Sequence, residues 1–599
     1  MRHRTSTRKT RAGYALLMVL SFTAIASLVL AATLGRTLTN AKLNNRSNEY
    51  NVTGNAAEAA VEKAVARLGY DFQIYGLGAV SGNLALYRAG IPDEDAFWNT
   101  FAFSDGNGHA NQTYVGMVTN NYTGPLPSQY PGLYTARAPI YRVISNARLA
   151  SGGVVTGTCQ EDVLLALVPL TQYAIFYNGL LEFSTCAAMT VNGRVHANGS
   201  IYTGTGASLT FNGTVTSTGT ISSPAWNGQG PSWSDKGTFK GSPTSRTNVP
   251  SLALSIGSTN VHDALELPPA GEGPTSTKGE SRFFNQAQTV LLISNAVVTM
   301  QIQASLNYHV PGADPAPLLL TSTNIPSALA TNFPFLITTN TFTDQRENKA
   351  VQTTQIDVGK YAAWIKTNAT ILSKFPTGSG SYPTILYVAD NRTTTSSQLA
   401  GVRLTNGAAP PANGGLGWSV ATPNPLYVLG HYNCTNSAYL GTTNTTSSVP
   451  CAFMSDALTI LSPAWQDSKS ANSYTTRSAT NTTVNAAILT GIVPSTGSTS
   501  TTFSGGVHNL PRLLEDWNSP STRTLTLNTA IMNLFNSKSA THVFVNPGTY
   551  YDPPTRQFSY DLNFQDPAKQ PPGIPCAMVL VRLNWATPPA NTITYNVTP

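Results

Sequence analysis

The sequence predicts a mainly β protein with one long N-terminal α-helix, membrane-spanning first and amphipathic after it. That helix carries an elongated head, β-solenoid or β-helix-like, with irregular loops. Three observations predict this. Residues 14–34 contain no charge and no proline, and they follow a basic, acid-free segment. Two stretches of the head repeat each other at a shift of 20 residues. Only 11% of the 599 residues are charged, against roughly 25% in an average soluble domain. Ser, Thr, Asn and Gly must therefore solubilise the surface, which suits a β-rich protein outside the cytoplasm.

Residues 1–13, MRHRTSTRKTRAG, hold Arg2, Arg4, Arg8, Lys9 and Arg11. Those five account for most of the net charge of +7 and leave a net charge of only +2 from Tyr14 onward. No later stretch gathers Lys and Arg into a stripe that could follow a phosphate backbone, so nucleic acid is not an expected partner.

As a helix, residues 14–34 span roughly 31 Å at about 1.5 Å per residue, the thickness of a bilayer core. The basic flank puts the N-terminus in the cytoplasm and the head across a single-pass inner-membrane span, periplasmic or extracellular. A cleaved signal peptide with Ala24-Ile25-Ala26 as its site is an alternative, but the cut would leave an apolar SLVLAATLG end on the mature chain. Between Arg36 and Leu68 the pattern turns amphipathic: Ala56, Ala60 and Ala64, and Val61, Val65 and Leu68, recur at helical spacing. Asn55 and Glu58 form a weak capping pair, and Gly54 marks a bend.

The basic leader ending in Gly13, the aromatic Tyr14, the apolar run and then NEYNVTGNAAEAAVEKAVARL together resemble the N-terminal region of type IV pilin-like proteins. The stretch Ala56-Ala57-Glu58-Ala59 is most similar to that of large PilX-type minor pilins. The resemblance implies cleavage after Gly13 by prepilin peptidase and methylation of the Tyr14 amine. It also implies assembly with other pilin-like subunits through the helix. Major subunits carry a glutamate at the fifth mature position, where this chain has Met18, so a minor pilin or pseudopilin is implied rather than a major filament subunit. The implied work is structural: filament priming, tip formation or adhesion, with surface glycans as a further partner. The alternatives are a plain anchor for an unrelated exported protein, or a membrane-anchored β-helix protein that binds or cleaves extracellular polysaccharide.

The head divides into a small mixed α/β region at 71–170, a solenoid-like body at 171–550 with a long Gly/Pro/Ser-rich loop at 224–285, and an irregular wrap at 551–599. In the first, TYVGMVTN, IYRVISNARLASGG and VVTGTCQEDVLLALVPL read as strands linked by turns. TVNGRVHANGSIYTG (190–204) and TFNGTVTSTGTISSP (210–224) are the repeat, with β-branched runs between Asn-Gly corners. Stacked coils need that arrangement, because each coil turns where positive φ is cheap and shares a core with the next. Two adjacent sandwich hairpins are the alternative. Further coils are expected at TVLLISNAVVTMQI, PTILYVADN, NPLYVLGHYN, DALTILSPAW, VNAAILTGIV and TLTLNTAIMNLFNS. Short helices are expected at 357–372 and 509–517. The tail from NPGTYYDPPTRQ onward resembles the end of large PilX-type proteins, and its last strand is expected to cap an open solenoid edge.

Chemistry is sparse. The eight histidines form no HExxH or HxH, and the five cysteines form no CxxC, so no metal and no cofactor is expected. His196 aligns with Thr216 in the repeat and reads as solvent-facing. Glu515 and Asp516 in LLEDW read as a solvated helix end, since adjacent helical residues point about 100° apart. Asp390 and Asp456 look isolated, and the Asn-x-Ser/Thr sites at Asn198, Asn212, Asn391 and Asn444 look compositional. No catalytic residue is assigned and the chain is not expected to be an enzyme. Cys434 and Cys451 bracket a 16-residue polar loop and are the candidate disulfide in an oxidising compartment; Cys159 with Cys186 is a second candidate.

Overall fold

The computed structural model describes residues 12–127, 130, 132–183, 186–223, 225–226, 237–304, 316–496, 503–545, 547–592 and 595. The leader, except Ala12 and Gly13, lies outside the described residues. The first helix runs from Ala12 to Gly82, so it ends beyond the boundary expected near residue 70. Gly54 does not bend it, and Asn55 and Glu58 lie within it rather than at a start. Its non-helical residue is Gly76, at φ 78°, a conformation cheap only without a Cβ.

The two halves of the helix meet different surroundings. From Tyr14 to Asn48 every residue is exposed, whereas Ala57, Ala60, Val61, Leu68 and Phe72 are wholly buried. The second half packs on a six-stranded antiparallel sheet through Tyr141, Val143, Val163 and Leu165. Alanines every third or fourth residue let the helix sit low. At Gly157 the contact is so close that a Cβ would strike the backbone of Thr53 and Gly54.

That sheet orders Phe101–Ser104, Tyr134–Leu149, Gly157–Pro169, Cys576–Ala586 and Ala253–Leu254, with Tyr114–Pro125 also paired to Tyr134–Leu149. The strand at 576–586 does not cap a solenoid edge, as expected from sequence. Its alternating apolar face fits the small sheet, where it pairs with 160–169 from Cys576↔Pro169 to Ala586↔Gln160.

The repeat is one turn of a parallel β-solenoid. Thr190 lies opposite Thr210, Val195 opposite Val215 and Ile201 opposite Ile221, each pair in a different sheet. Val191, Val195, Ile201, Phe211 and Val215 point into the shared core. Part of the expected loop at 224–285 continues the stack: Thr238–Phe239 lies on Thr210–Phe211, and Ser245–Arg246 on Val215–Thr216. The signal there is a single aromatic, since Phe239 stacks on Phe211 at 5.1 Å between ring centroids.

All six further runs form strands of the same body. Among the described residues the longest sheet has twelve strands. From Thr289–Ile293 it advances through Ile385–Asp390, Trp418–Thr422, Cys451–Ser455, Ala487–Thr490 and Ile531–Asn533. There it docks on Tyr173–Tyr177 and continues through the repeat to Ser245–Arg246. The solenoid is therefore discontinuous in sequence. One arm winds away from residue 173, the chain crosses back through 247–288, and a second arm winds home to the start of the first. Val297–Ile302 and Leu318–Thr323 add antiparallel strands that close the far end. Among the described residues four shorter sheets complete the walls; Thr555–Tyr560, expected within the wrap, is a strand of one of them.

The helix expected at 357–372 forms as Val358–Trp364 and Ala369–Lys374. That at 509–517 does not: a 3-10 turn at Val507–Asn509 leads into strand Pro511–Arg512, and Asp516 bridges Ser478 and Asp552 in parallel. Coil-to-coil backbone bonding outweighs the local helical pattern.

At the solenoid corner a Cβ on Gly213 would strike the carbonyl of Gly193 one turn away. Gly213→Ala is expected to cost about 1–3 kcal/mol and to lower the thermal midpoint followed by circular dichroism. Gly179→Ala, where a Cβ meets nothing within 4 Å, should leave the midpoint unchanged.

Candidate assembly interface

The uncovered helix half is the largest apolar surface of the molecule that has no partner within the chain. Tyr14 is 83% exposed and Leu28 71%. Within the apolar run three hydroxyls turn onto the backbone: those of Ser21, Thr23 and Thr33 donate to the carbonyls of Leu17, Val19 and Val29 at 2.8, 2.8 and 2.9 Å. A helix that satisfies its own hydroxyls can lie in lipid or against like helices without unpaired groups. Gly13 and Tyr14 both lie in this helix, with Met18 exposed one turn on.

The packed half is clamped by charge. Arg582, from the strand at 576–586, pairs with Glu62 of the helix and with the buried Glu161 at 3.2 Å. Lys63 donates to the carbonyl of Ile91 at 2.8 Å and pairs with Asp93 and Glu94. Tyr87 Oη donates to Asp71 at 2.7 Å. These links fix the angle at which the apolar half leaves the head. Sequence reasoning missed them because the partners lie up to 520 residues apart.

The carboxylates singled out from the sequence are engaged in stitching coils together. Glu515 is wholly buried, and its two oxygens accept from Ser462 N and Oγ, each at 2.6 Å. Burial pushes its carboxyl up to about 7, against the opposing pull of Ser462 and Arg477. Asp516 is buried and accepts from the amides of Asn518 and Ser519 at 2.9 and 3.0 Å. The solvated helix end expected for this pair is therefore replaced by a coil interior. Asp390 and Asp456 are not isolated. Asp390 pairs with Arg392 at 2.6 Å. Asp456 accepts from the amides of Lys538, Ser539 and Ala540 and lies 3.0 Å from His262 Nε2.

His196 is also inside, not solvent-facing. Its Nδ1 lies 2.8 Å from Thr216 Oγ1, its own counterpart in the repeat, and desolvation lowers its pKa to about 4. Its Nε2 lies 3.0 Å from Asn198 Oδ1, and Asn198 Nδ2 in turn donates to the carbonyl of Leu252 in the crossing segment, a link no repeat could reveal. Cys186 approaches His508 Nε2 at 3.6 Å. His508 Nδ1 accepts from the amide of Ala187, so the proton sits on Nε2 and the ring cannot take one from the thiol.

Neither expected disulfide is formed. Cys451 faces the core beside Tyr432, where burial pushes its thiol up to about 12; Cys434 instead turns to the carbonyl of Asn436 at 3.4 Å. Among the described residues no three His, Cys, Asp or Glu side chains come together as a metal-binding group.

No protein-family model matches the chain, and no curated protein matches it. Among solved structures it is similar to the crystal structure of competence-associated pilin ComZ from Thermus thermophilus. The alignment covers 90% of this chain and 97% of that chain, at 12% identity and a TM-score of 0.23. So loose an overlap does not define a shared architecture.

Because Glu515 titrates higher in the folded head than its ordinary 4.5, its contribution to stability is complete below pH 4.5 and is lost as pH rises through about 7. The loss amounts to about 3 kcal/mol. Glu515→Gln, which can accept from Ser462 N and donate to Ser462 Oγ, is expected to flatten the fall in thermal midpoint between pH 4.5 and 8.

Proposed function

We propose that the protein is a pilin-type structural subunit of the PilX-type minor-pilin or pseudopilin kind, held in the inner membrane by its N-terminal helix. The head lies outside the cytoplasm, and its work is structural rather than catalytic: priming or tipping a filament, or presenting an adhesive surface. The observation that carries this is the division of one continuous helix. Residues 53–72 are packed on the head, while 14–48 project, covered by nothing else among the described residues, as a rod that is apolar over 14–34 and polar beyond.

Each apolar side chain removed from water by lipid or sister helices contributes at about 25 cal/mol per Å², so a rod of this length favours burial strongly. The basic leader supports a cytoplasmic N-terminus. Gly13 followed by aromatic Tyr14 supports processing between them. Met18 leaves the rod without the carboxylate that would pair with a neighbour's amine, which favours a minor position. The head, at more than 500 residues, supports placement where neighbours do not crowd it, such as an end.

Mass spectrometry of the N-terminal peptide from protein recovered in its native host tests the reading. The expected result is a mature chain beginning at N-methyl-Tyr14. A chain retaining Arg2 would reduce the helix to a plain anchor, and one starting at Ser27 would make it a discarded signal.

A further inference from the structure

A groove of about 670 Å³ runs between residues 65–73 of the helix, the edge of the small sheet and the first solenoid arm. It falls within the range of about 300–1,000 Å³ that holds small ligands. Its charge is one-sided. Arg194 and Arg246 line it together with neutral His196 and with Arg582, which is already paired with Glu62 and Glu161, and among the described residues no Asp or Glu does.

Five other arginines of the head pair with carboxylates, whereas Arg148 and the half-buried Arg523, like the two arginines of the solenoid wall, do not. Arg142 pairs with Asp162, Arg282 with Glu272, Arg392 with Asp390, Arg403 with Asp467 and Arg512 with Glu347. Among the described residues Arg194 and Arg246 have no hydrogen bond and no ion pair, although Arg194 is half-buried. A partly desolvated guanidinium without a carboxylate is costly in an isolated chain. Five N–H donors in a planar fork match a carboxylate in two bonds at once.

The rest of the wall suits a ring bearing hydroxyls. Tyr130 and the buried Tyr173 flank the arginines, and Tyr70 stands exposed on the helix side. Arg194 and Tyr173, and Arg246 and Tyr130, all line this groove. Thr214 and Ser251 add hydroxyls. His196 is engaged with Thr216 and stays neutral, so it contributes hydrogen bonding and no charge.

We propose that this groove binds an acidic saccharide, a glycan segment whose uronic-acid carboxylate is held by Arg194 and Arg246 while its rings lie against Tyr130 and Tyr173. Two unpaired cations match one or two carboxylates. They are too few for a polyphosphate backbone, which needs a longer basic track. The groove is formed by the head and the packed half of the helix, so the site does not depend on whether Gly13–Tyr14 is processed.

The test is calorimetric titration of the full chain in detergent with a galacturonate trimer, a neutral galactose trimer and a single-stranded oligonucleotide. The expected result is saturable binding of the galacturonate trimer alone, weakened at least tenfold by Arg194→Gln with the thermal midpoint retained. Arg246→Gln, at the exposed rim, makes the same test should the Arg194 variant not fold, and is expected to weaken binding at least threefold. Absence of uronate binding, equal binding of the neutral trimer, preference for the oligonucleotide, or full affinity in both variants would overturn the proposal.

Discussion

The head depends on one short ladder. Ile531, Met532 and Asn533 lie beside Ile175, Phe176 and Tyr177, and the amide of Asn178 donates to the carbonyl of Asn533 at 2.8 Å. Across this ladder the two arms of the solenoid, separated by hundreds of residues in the chain, become one stack with one core. Without it each arm would end in an open edge of unpaired amides and carbonyls, the kind of edge that recruits foreign strands. Asn198 Nδ2 donates to Asn178 Oδ1 at 2.9 Å, and Asn533 Nδ2 donates to Thr490 O at 3.0 Å, so side-chain amides extend the ladder on both sides. These bonds tie residues whose neighbours along the stack, not along the sequence, decide their environment.

That distinction explains what could be read from the sequence and what could not. The helix was legible because its signal is local: a charge-free run followed by alanines at helical spacing. The 20-residue repeat was legible because two coils have corners of equal length. Later coils pair Ile385 with Ser419, Ser419 with Ala452, Ala452 with Ala487 and Ile488 with Ile531. Those offsets lie between 33 and 43 residues, so no fixed period survives, and only the apolar runs themselves mark the coils. The join at Tyr173–Tyr177 runs backwards in the sequence and has no local signature at all.

The misread side chains share the same cause. LLEDW has the spacing of a short amphipathic helix, yet Glu515 is fixed by Ser462, a residue one coil away. His196 looked exposed because its repeat partner is a threonine, but that threonine is its hydrogen-bond partner. Cys434 and Cys451 bracket a loop as disulfide partners would, whereas the coil turns one toward the core and the other toward a carbonyl. The candidate assembly surface was legible as an apolar run. Its clamp through Arg582, Glu62 and Glu161, and the groove beside it, were not, because each joins residues from opposite ends of the chain.

The place of the strand at 576–586 sets an order of events. It lies inside the small sheet, between Gly157–Pro169 and Ala253–Leu254, and it supplies the arginine that holds the helix. The sheet on which the helix rests is therefore incomplete until residues 576–586, more than 400 positions after their neighbour at 157–169, have joined it. Without residues 576–586 the helix and the solenoid would lack the seat that joins them. The seat of the helix thereby checks that distant parts of the chain have folded together, a form of quality control written into strand order.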